Sequence, residues 1–497
     1  MIPVTPTRAA FIEKAATARV LQVSCEIVAD GDTPVSAFAK LCSEAPSFLL
    51  ESAEQKDQTG RFSFLGFGAR ATFSAIGKTL TPPENGTSRT FEAQRDPLDE
   101  LEKWMSPYRT ETDPTLPLFH GGAVGYLSYD CIRWFEPTIS APPKDELGIP
   151  DMFFMVTEVV IAFDHRRRRI RIVVNAFPDK ENPAAAYDAA CERIRSVLDS
   201  LAKPIAFEPI FTESTPAAAP STSNTTREEY HAMVHKAHEY IRSGDIFQIV
   251  LAQRFETEFH DDALDLYRAL RFVNPSPYMF CLRCPGGYSL VGSSPEVHVR
   301  LTGDLVEIRP IAGTRRRGAT PEEDDANAAD LMADPKERAE HLMLVDLARN
   351  DVGRIAEYGS VKVTDFMTIE RYSHVMHIVS NVSGELDPQH SAYDVLRATF
   401  PAGTVSGAPK IRAMQIINSL EKNKRCAYAG AVGYFGFDGS HDSCITLRTC
   451  LLKNGKAYVQ SGAGVVADSD PTYEYNETVN KAKGMLRAVA LARTLQE

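Results

Sequence analysis

Two groups of acids in the C-terminal half are placed where carboxylates could do chemistry. Asp334-Pro335-Lys336-Glu337 reads as a helix start, with Asp at the N-cap, proline at the first helical position and an acid two residues on. Glu340 follows about one turn further in, alongside Met343, Leu344 and Leu347. A glutamate on an apolar stripe is costly to bury unless it has a partner. Glu474 and Glu477 are spaced i, i+3 behind Asp470-Pro471, so both share one face near a second helix start. Acids also collect in first turns for the helix dipole alone, and Glu477 has Lys481 one turn on. If the two helices converge, their carboxylates suit a hard cation such as Mg²⁺ that also holds a substrate carboxylate.

Groups that could receive an anion come next. Gly403-Thr-Val-Ser-Gly407-Ala-Pro-Lys410 lacks the ending of a phosphate loop and reads as a tight turn feeding a helix. Ser461-Gly462-Ala463-Gly464-Val465 follows a strand and lets backbone N–H groups approach a ligand closely. Arg448 lies within the otherwise apolar run Cys444–Leu451, so it either faces solvent or turns inward to an anion. His377, in the alternating run Tyr372–Val382, is by itself more in keeping with a structural role than with catalysis.

Elements must hold these residues, and the chain is long enough for more than one core. It has 497 residues, 43% of them hydrophobic and 24% charged, as in soluble globular proteins. The formal charge of −12 argues against nucleic acid or an anionic membrane as partner. An acidic protein that takes an anionic substrate needs local cations, backbone amides or a metal. No apolar run approaches the roughly 18 residues of a membrane span, and Thr157 and Glu158 interrupt the nearest stretch. The first 20 residues lack the apolar core of a secretory signal. Nine scattered cysteines fit reduced thiols in a cytoplasmic compartment. Cys281 and Cys284 form one CxxC without a second pair, inside a run that alternates like a strand.

The segment 212–226, TESTPAAAPSTSNTT, reads as a linker between an N-terminal part, 1–211, and a C-terminal part, 227–497. A hairpin is expected over Val156–Phe163 and Ile170–Ala176, with Arg166 to Arg169 as a solvated tip. Thr226-Arg-Glu-Glu229 is a capping box before a helix ending near Gly244. Strands are expected at Phe247–Phe255, Tyr288–Val291, Glu296–Leu301, Leu305–Ile308, Ile445–Leu452 and Ala457–Gln460. Helices are expected at Pro335–Ala348, Pro409–Leu420 and Thr472–Leu491. The strands come in clusters rather than in βαβ alternation, which predicts an α+β fold of large antiparallel β-sheets packed as a sandwich with flanking helices. Gly122-Ala-Val-Gly-Tyr126 recurs as Gly430-Ala-Val-Gly-Tyr434, so both parts are expected to share one sheet system.

The segments IRPIAGTRRRG (308–318), EHLMLVDLARNDVGRI (340–355), HVMHIVSNVSGEL (374–386), FPAGTVSGAPKIRAMQII (400–417), YAGAVGYFGFDG (428–439) and QSGAGVVADSDPTYEYNE (460–477) together resemble the chorismate-utilising enzymes. The likeness is dense from about residue 227 to 486. LLES (49–52) and GGAVGYLSYD (121–130) extend it into the N-terminal part, which resembles that of anthranilate synthase large subunits.

The resemblance implies roles. Glu340 and Glu477 match direct Mg²⁺ ligands, with Glu474 acting through water, and the ion would hold the ring carboxylate of chorismate. Tyr428, Arg448 and the amides of Gly462, Ala463 and Gly464 match the grip on the enolpyruvyl carboxylate, while Gly313 and Thr314 lie beside the ring. Glu296 matches the general acid that protonates the leaving 4-hydroxyl as ammonia adds at C2. His377 matches the histidine of the pyruvate-elimination half, and Thr404 lines the same pocket. Gln248 stands where water-adding relatives carry a lysine. Pro310-Ile-Ala-Gly-Thr314 has alanine where aminodeoxychorismate synthases carry a nucleophilic lysine.

No glutaminase signature surrounds any cysteine, so a separate glutamine amidotransferase subunit is expected to supply ammonia. Glu51, Ser52, Asn274, Pro277, Tyr278 and Met279 match the segments that bind tryptophan as feedback inhibitor, on either side of the linker. The alternatives are the aminodeoxychorismate synthase large chain and a non-catalytic tryptophan-binding paralogue. The second would be expected to have lost Glu296, Glu340, His377 or Glu477, and all four are present.

Overall fold

Local chemistry sets the helix starts. Thr226 accepts from Glu229 N while the Glu229 carboxylate accepts from Thr226 N, closing the expected capping box before Arg227–Arg242. Asp334 accepts from the amides of Lys336 and Glu337 ahead of Pro335–Gly353, and Asp470 from Tyr473 N ahead of Pro471–Arg493. Each cap satisfies amide groups that the helix itself leaves orphaned. The computed structural model describes residues 2–53, 60–81, 90–211, 213, 216–372 and 375–495. Linker residues 212, 214 and 215, and His374 of the 374–386 motif, lie outside the described residues.

Among the described residues the strands join into one 22-stranded sheet whose ladders are antiparallel, and helices flank it. The Arg-bearing hairpin forms as Met152–Asp164 and Arg169–Ala176, with Arg166 to Arg169 exposed and Arg169 paired with Glu26. Pro471–Arg493 packs on the strand Lys456–Val465 and on the helix Ala263–Val273. Pro335–Gly353 packs on Val375–Glu385 and Ile311–Arg316.

The sheet does not stop at the linker. Ser47–Glu51 pairs with Tyr278–Cys284, placing Glu51 opposite Met279. The two echoed strands lie side by side: Gly122–Leu127 pairs antiparallel with Ala431–Gly436, and Gly125 faces Gly433, the fourth residue of each copy. Equivalent residues therefore meet at a local two-fold axis. The linker itself is seated on the C-terminal part, where Thr222–Ser223 pairs with Gln248–Glu258 and Ala219 N donates to Leu486 O at 3.0 Å. The cores are shared as well. One gathers Phe11, Ile194, Leu270 and Met485, and another Leu98, Phe154, Val352 and Phe435. Full burial of side chains of this size is worth about 1.5–3 kcal/mol each, so neither part keeps its core without the other.

Candidate active site

Two neighbouring strand lines break at the same level. Tyr288–Ser294 pairs with Thr449–Lys453 through Gly292 and Thr449, and beyond the gap Val297–Thr302 pairs with His441–Ile445 through Val297 and Cys444. Residues 295–296 and 446–448 therefore lie side by side, outside the ladder. The sequence suggested that Glu296 opens a strand and that Arg448 lies within a continuous one; both instead occupy this paired gap. Arg448 has φ +45°, a left-handed conformation that costs a non-glycine residue energy and interrupts pairing. The gap is pinned by Ile445 N donating to Glu296 O and Ser293 N to Arg448 O, both at 3.1 Å. The Thr446 Oγ1 inside it is buried without a partner.

The Glu296 carboxyl is buried and accepts from Thr404 Oγ1 at 2.7 Å. Burial pushes its pKa up to about 8, against the opposing pull of the Thr404 hydroxyl and the Ile311 amide. It is thus a carboxylic acid that keeps its proton near neutral pH. The three-residue turn Gly403–Val405 presents Thr404, so the expected Thr404–Glu296 neighbourhood exists.

His377, on Val375–Glu385, places Nδ1 2.7 Å from Gly313 O and 3.2 Å from Thr314 Oγ1. A carbonyl only accepts, so Nδ1 carries the proton and the neutral ring leaves the Nε2 lone pair available. Burial lowers its proton affinity; the Gly313 carbonyl opposes this and the Arg448 charge adds to it. Gly313 has φ +67°, and a Cβ there would meet Leu331 Cδ1 at 2.9 Å. His377, Gly313 and Thr314 are therefore in contact, with the Arg448 charge near enough to act on the ring.

The residues expected to grip a carboxylate lie near one another. Gly462, Ala463 and Gly464 pair with Ala252, Leu251 and Val250. A Cβ on Gly462 would lie 2.7 Å from the Tyr428 hydroxyl, and one on Gly464 2.9 Å from Gln248 Nε2. Side chains at both positions would close the space. Tyr428 sits on strained backbone between Cys426 (φ +53°) and Ala429 (φ +64°). Burial raises its hydroxyl to about 12, so it is a donor throughout the physiological range. No hydrogen-bonding or ion-pair partner holds the Arg448 guanidinium among the described residues, and burial lowers its proton affinity. It is a cation awaiting an anion.

The Arg425 guanidinium lies behind Tyr428. It is buried, pairs with Glu421 at 2.6 Å, and donates to Val405 O and Val250 O at 2.7 Å each. One side chain so ties the Thr404 turn to the strand opposite Gly464. Sequence reasoning did not select it, since nothing in the charged run Glu421 to Arg425 tells a buried cation from a solvated one.

The acids are less closely gathered than the sequence suggested. Among the described residues no three His, Cys, Asp or Glu side chains form a group able to hold an ion. Glu477 pairs with Lys481 at 2.7 Å, and Glu340 accepts from Gln248 Nε2 at 3.2 Å. Both partners also border Gly462–Gly464, which continues the strand Lys456–Val465 rather than following it as the sequence suggested: Lys481 donates to Gly462 O at 3.1 Å, and Gln248 adjoins Gly464. Glu474 is buried and its carboxyl is raised, by burial first and partly by Glu477. Glu337 is raised likewise, with Glu340 contributing. Carboxylate oxygens are the hard donors that a dication takes, and an ion entering here would take the place of Lys481 beside Glu477.

A cavity of about 680 Å³ lies between the two parts of the chain. Glu51, Ser52, Pro277, Tyr278 and Met279 line it, whereas Asn274 does not and instead accepts from Ser293 Oγ through its carbonyl. Its polar groups are already paired: Glu51 accepts from Tyr267 at 2.5 Å and lies 3.4 Å from Arg271. Tyr278 donates to Asp442 at 2.9 Å, and Arg300 donates to both. Sequence reasoning did not select Tyr267, Arg271, Arg300 or Asp442, since each reads as an ordinary helix or strand residue.

Known proteins share this architecture. The family model for the chorismate binding enzymes matches residues 45–487. Anthranilate synthase component 1 of Pseudomonas putida is 46% identical over 475 residues, 95% of this chain and 96% of the relative. That of Acetivibrio thermocellus is 45% identical over 475 residues, 95% of each. The crystal structure of anthranilate synthase component I from Streptococcus pneumoniae superposes with a TM-score of 0.75 at 39% identity, covering 93% of this chain and 99% of that one. The menaquinone-specific isochorismate synthase of Escherichia coli shares the fold at 18% identity, with a TM-score of 0.72 and coverage of 97% and 98%. The match to the family model and the likeness across nearly the whole chain show that this protein belongs to the chorismate binding enzymes, in the branch of the anthranilate synthase large chains.

Proposed function

We propose that the protein binds chorismate between Glu296, His377, Arg448 and the strand residues Gly462 to Gly464, aminates it at ring C2, and eliminates pyruvate to leave anthranilate. The observation that carries this reading is the protonated Glu296 carboxyl, bonded to Thr404 beside the Arg448 gap. The nitrogen lone pair forms the C2–N bond, the ring double bond shifts, and the C4–O bond breaks. The Glu296 proton goes to the departing oxygen, which leaves as water. Arg448, the Tyr428 hydroxyl and the amides of Gly462 to Gly464 receive the enolpyruvyl carboxylate, while Gly313 and Thr314 border the ring. His377, with its Nε2 lone pair free, accepts the C2 proton as the C3–O bond breaks and the ring becomes aromatic; the departing enolpyruvate takes up one proton at its methylene carbon and leaves as pyruvate.

Mg²⁺ would be held by Glu340 and Glu477, with Glu474 behind them, in competition with Gln248 and Lys481. When bound, it supplies charge that holds the ring carboxylate. Gln248 cannot activate water as a lysine base could, and Ala312 offers no nucleophile. Both favour ammonia addition over the water-adding and para-aminobenzoate-forming alternatives. The relatives' name, component 1, supports a second component, a glutamine amidotransferase that delivers ammonia. In this reading residues 1–211 contribute to a tryptophan site in the cavity between the parts, and 227–497 carry catalysis. The described cysteines are free thiols and no described helix is long and apolar enough to cross a membrane, in keeping with a cytoplasmic setting. Purified chain incubated with chorismate, Mg²⁺ and an ammonium salt is expected to generate anthranilate fluorescence. A hydroxylated or para-aminated product would overturn the reading.

A further inference from the structure

A small cavity of about 30 Å³ adjoins Glu296, and its wall includes Asp351, His298, Thr399 and Thr404. Three observations on that wall point to one occupant. Asp351 is 3% exposed, and its Oδ1 is buried with no hydrogen-bond partner. Its other oxygen accepts from Lys410 Nζ at 2.6 Å, and Lys410 donates to Thr399 O at 3.3 Å. Both ring nitrogens of His298 are already engaged, with Ser443 Oγ and Thr399 O at 3.3 Å. The wall thus presents two carboxyl groups, one with an unused oxygen, across a space of molecular size. Val297, Leu344, Leu347 and Ala348 make the rest of the wall apolar, so a water there takes its polar partners from these carboxyls and Thr404. A cavity above roughly 10–15 Å³ has room for one, and an orphaned buried carboxylate oxygen is costly without one.

We propose that this cavity binds one water molecule that passes protons from Asp351 to Glu296, so that the Asp351–Lys410 pair reloads the acid after each turnover. The proposal rests on the reading of Glu296 as the general acid. Amination leaves Glu296 as a buried carboxylate, because its proton departs with the C4 oxygen. That site must be reprotonated before the next chorismate reacts. The cavity water donates a proton to Glu296 and takes one from Asp351, which takes one in turn from the Lys410 ammonium. Lys410 keeps 9% of its side chain exposed, beside the exposed Pro409, and recovers a proton from solvent. The new C2 ammonium sheds one proton to solvent, so the cycle closes without net gain. Burial raises the proton affinity of Asp351 while Lys410 opposes this, which suits a carboxylate that carries a proton in transit.

The test is rapid mixing of the full chain with chorismate, Mg²⁺ and ammonium, following first and later turnovers separately. In Asp351→Asn the first turnover is expected to stay near the parent rate, because Glu296 starts protonated. Later turnovers should slow by about 100-fold, as for a lost proton-transfer partner. They should slow again in D₂O, while the first turnover slows no more than in the parent. A plain structural clamp between the two helices predicts that both phases fall together, and that result, or two unchanged phases, overturns the relay. Ala348→Val fills the cavity wall from the helix while leaving the Asp351–Lys410 pair intact, and should give the same burst. Unchanged later turnovers in that variant also overturn it. Glu296→Gln should lose the first turnover too. If it keeps full activity, the acid itself is misassigned, an outcome distinct from failure of the relay.

Discussion

The cavity between the two parts and the pocket around Glu296 are both lined by charged side chains, and they differ in what those charges have for company. In the first, Glu51 rests against Tyr267 and Arg271, and Asp442, Arg300 and Tyr278 bond one another. In the second, the Arg448 guanidinium has no partner among the described residues, Thr446 Oγ1 and Asp351 Oδ1 are orphaned, and Glu296 is held as a neutral acid. Left-handed backbone gathers there too, at Cys426, Ala429 and Arg448. Buried polar groups without partners are expensive, so they persist where a ligand or a reaction completes them. A ligand entering the first cavity must displace bonds that already exist. Groups of the first kind suit a switch, and those of the second suit catalysis.

The contrast can be broken at several points. The largest effect is expected at the proposed metal ligands: Glu340→Gln removes a charge from the site proposed for a dication, worth several kcal/mol, and should cut the rate by about a thousandfold or more. Full activity of that variant in EDTA would sink the metal assignment. Next is Glu296→Gln, expected to lose roughly 10²–10⁴-fold, as for removal of a general acid. With its carboxyl raised to about 8, the parent rate should fall as pH climbs through that value. The stability sign follows the same shift. A carboxyl raised from 4.5 to about 8 stabilises the fold most at low pH and progressively less across that window. The glutamine variant should therefore gain relative stability on the alkaline side, measurable by denaturant titration at pH 6 and pH 9.

His377→Met should act on only half the reaction. An aminated, non-aromatic intermediate is expected to accumulate, visible by mass spectrometry, and equal loss of both steps would count against the assignment. The smallest effect concerns the paired cavity. Tryptophan and chorismate are expected to weaken each other's binding by the same factor, roughly five- to 150-fold, as for typical allosteric coupling. Calorimetric titration of tryptophan with and without chorismate plus Mg²⁺ measures it, and unchanged affinity refutes the coupling. Ser52→Arg should abolish inhibition and leave ammonia-dependent activity largely intact.

The residues differed in how far their surroundings could be read from the chain. Helix starts at Asp334 and Asp470 were legible because capping is chemistry between near neighbours. The shared sheet was legible in the echo of Gly122–Tyr126 and Gly430–Tyr434, although the meeting of the two copies was not. The strand gap was half legible: Ser293-Ser294-Pro295 breaks the first run, whereas Cys444–Leu451 reads as one strand straight through Arg448. Glu296, His377 and Thr404 were visible only through the family motifs: their geometry depends on turns and strands up to 108 residues apart. Arg425 and Asp351 were hidden for a related reason, since a buried ion pair and a solvated one have the same letters.

The pairing of the echoed strands bears on how the chain can be made. Ser128, just past the first copy, donates to the carbonyl of Cys426, 298 residues away. Contacts of such sequence separation form late and slow folding, because the closing loop must be ordered before it is rewarded. On the ribosome, Gly122–Leu127 waits with one edge bare until nearly the whole polypeptide has emerged. An apolar edge that long exposed is a site for wrong pairing. The strand is rich in glycine and short, six residues, which limits what a stray strand could gain from it.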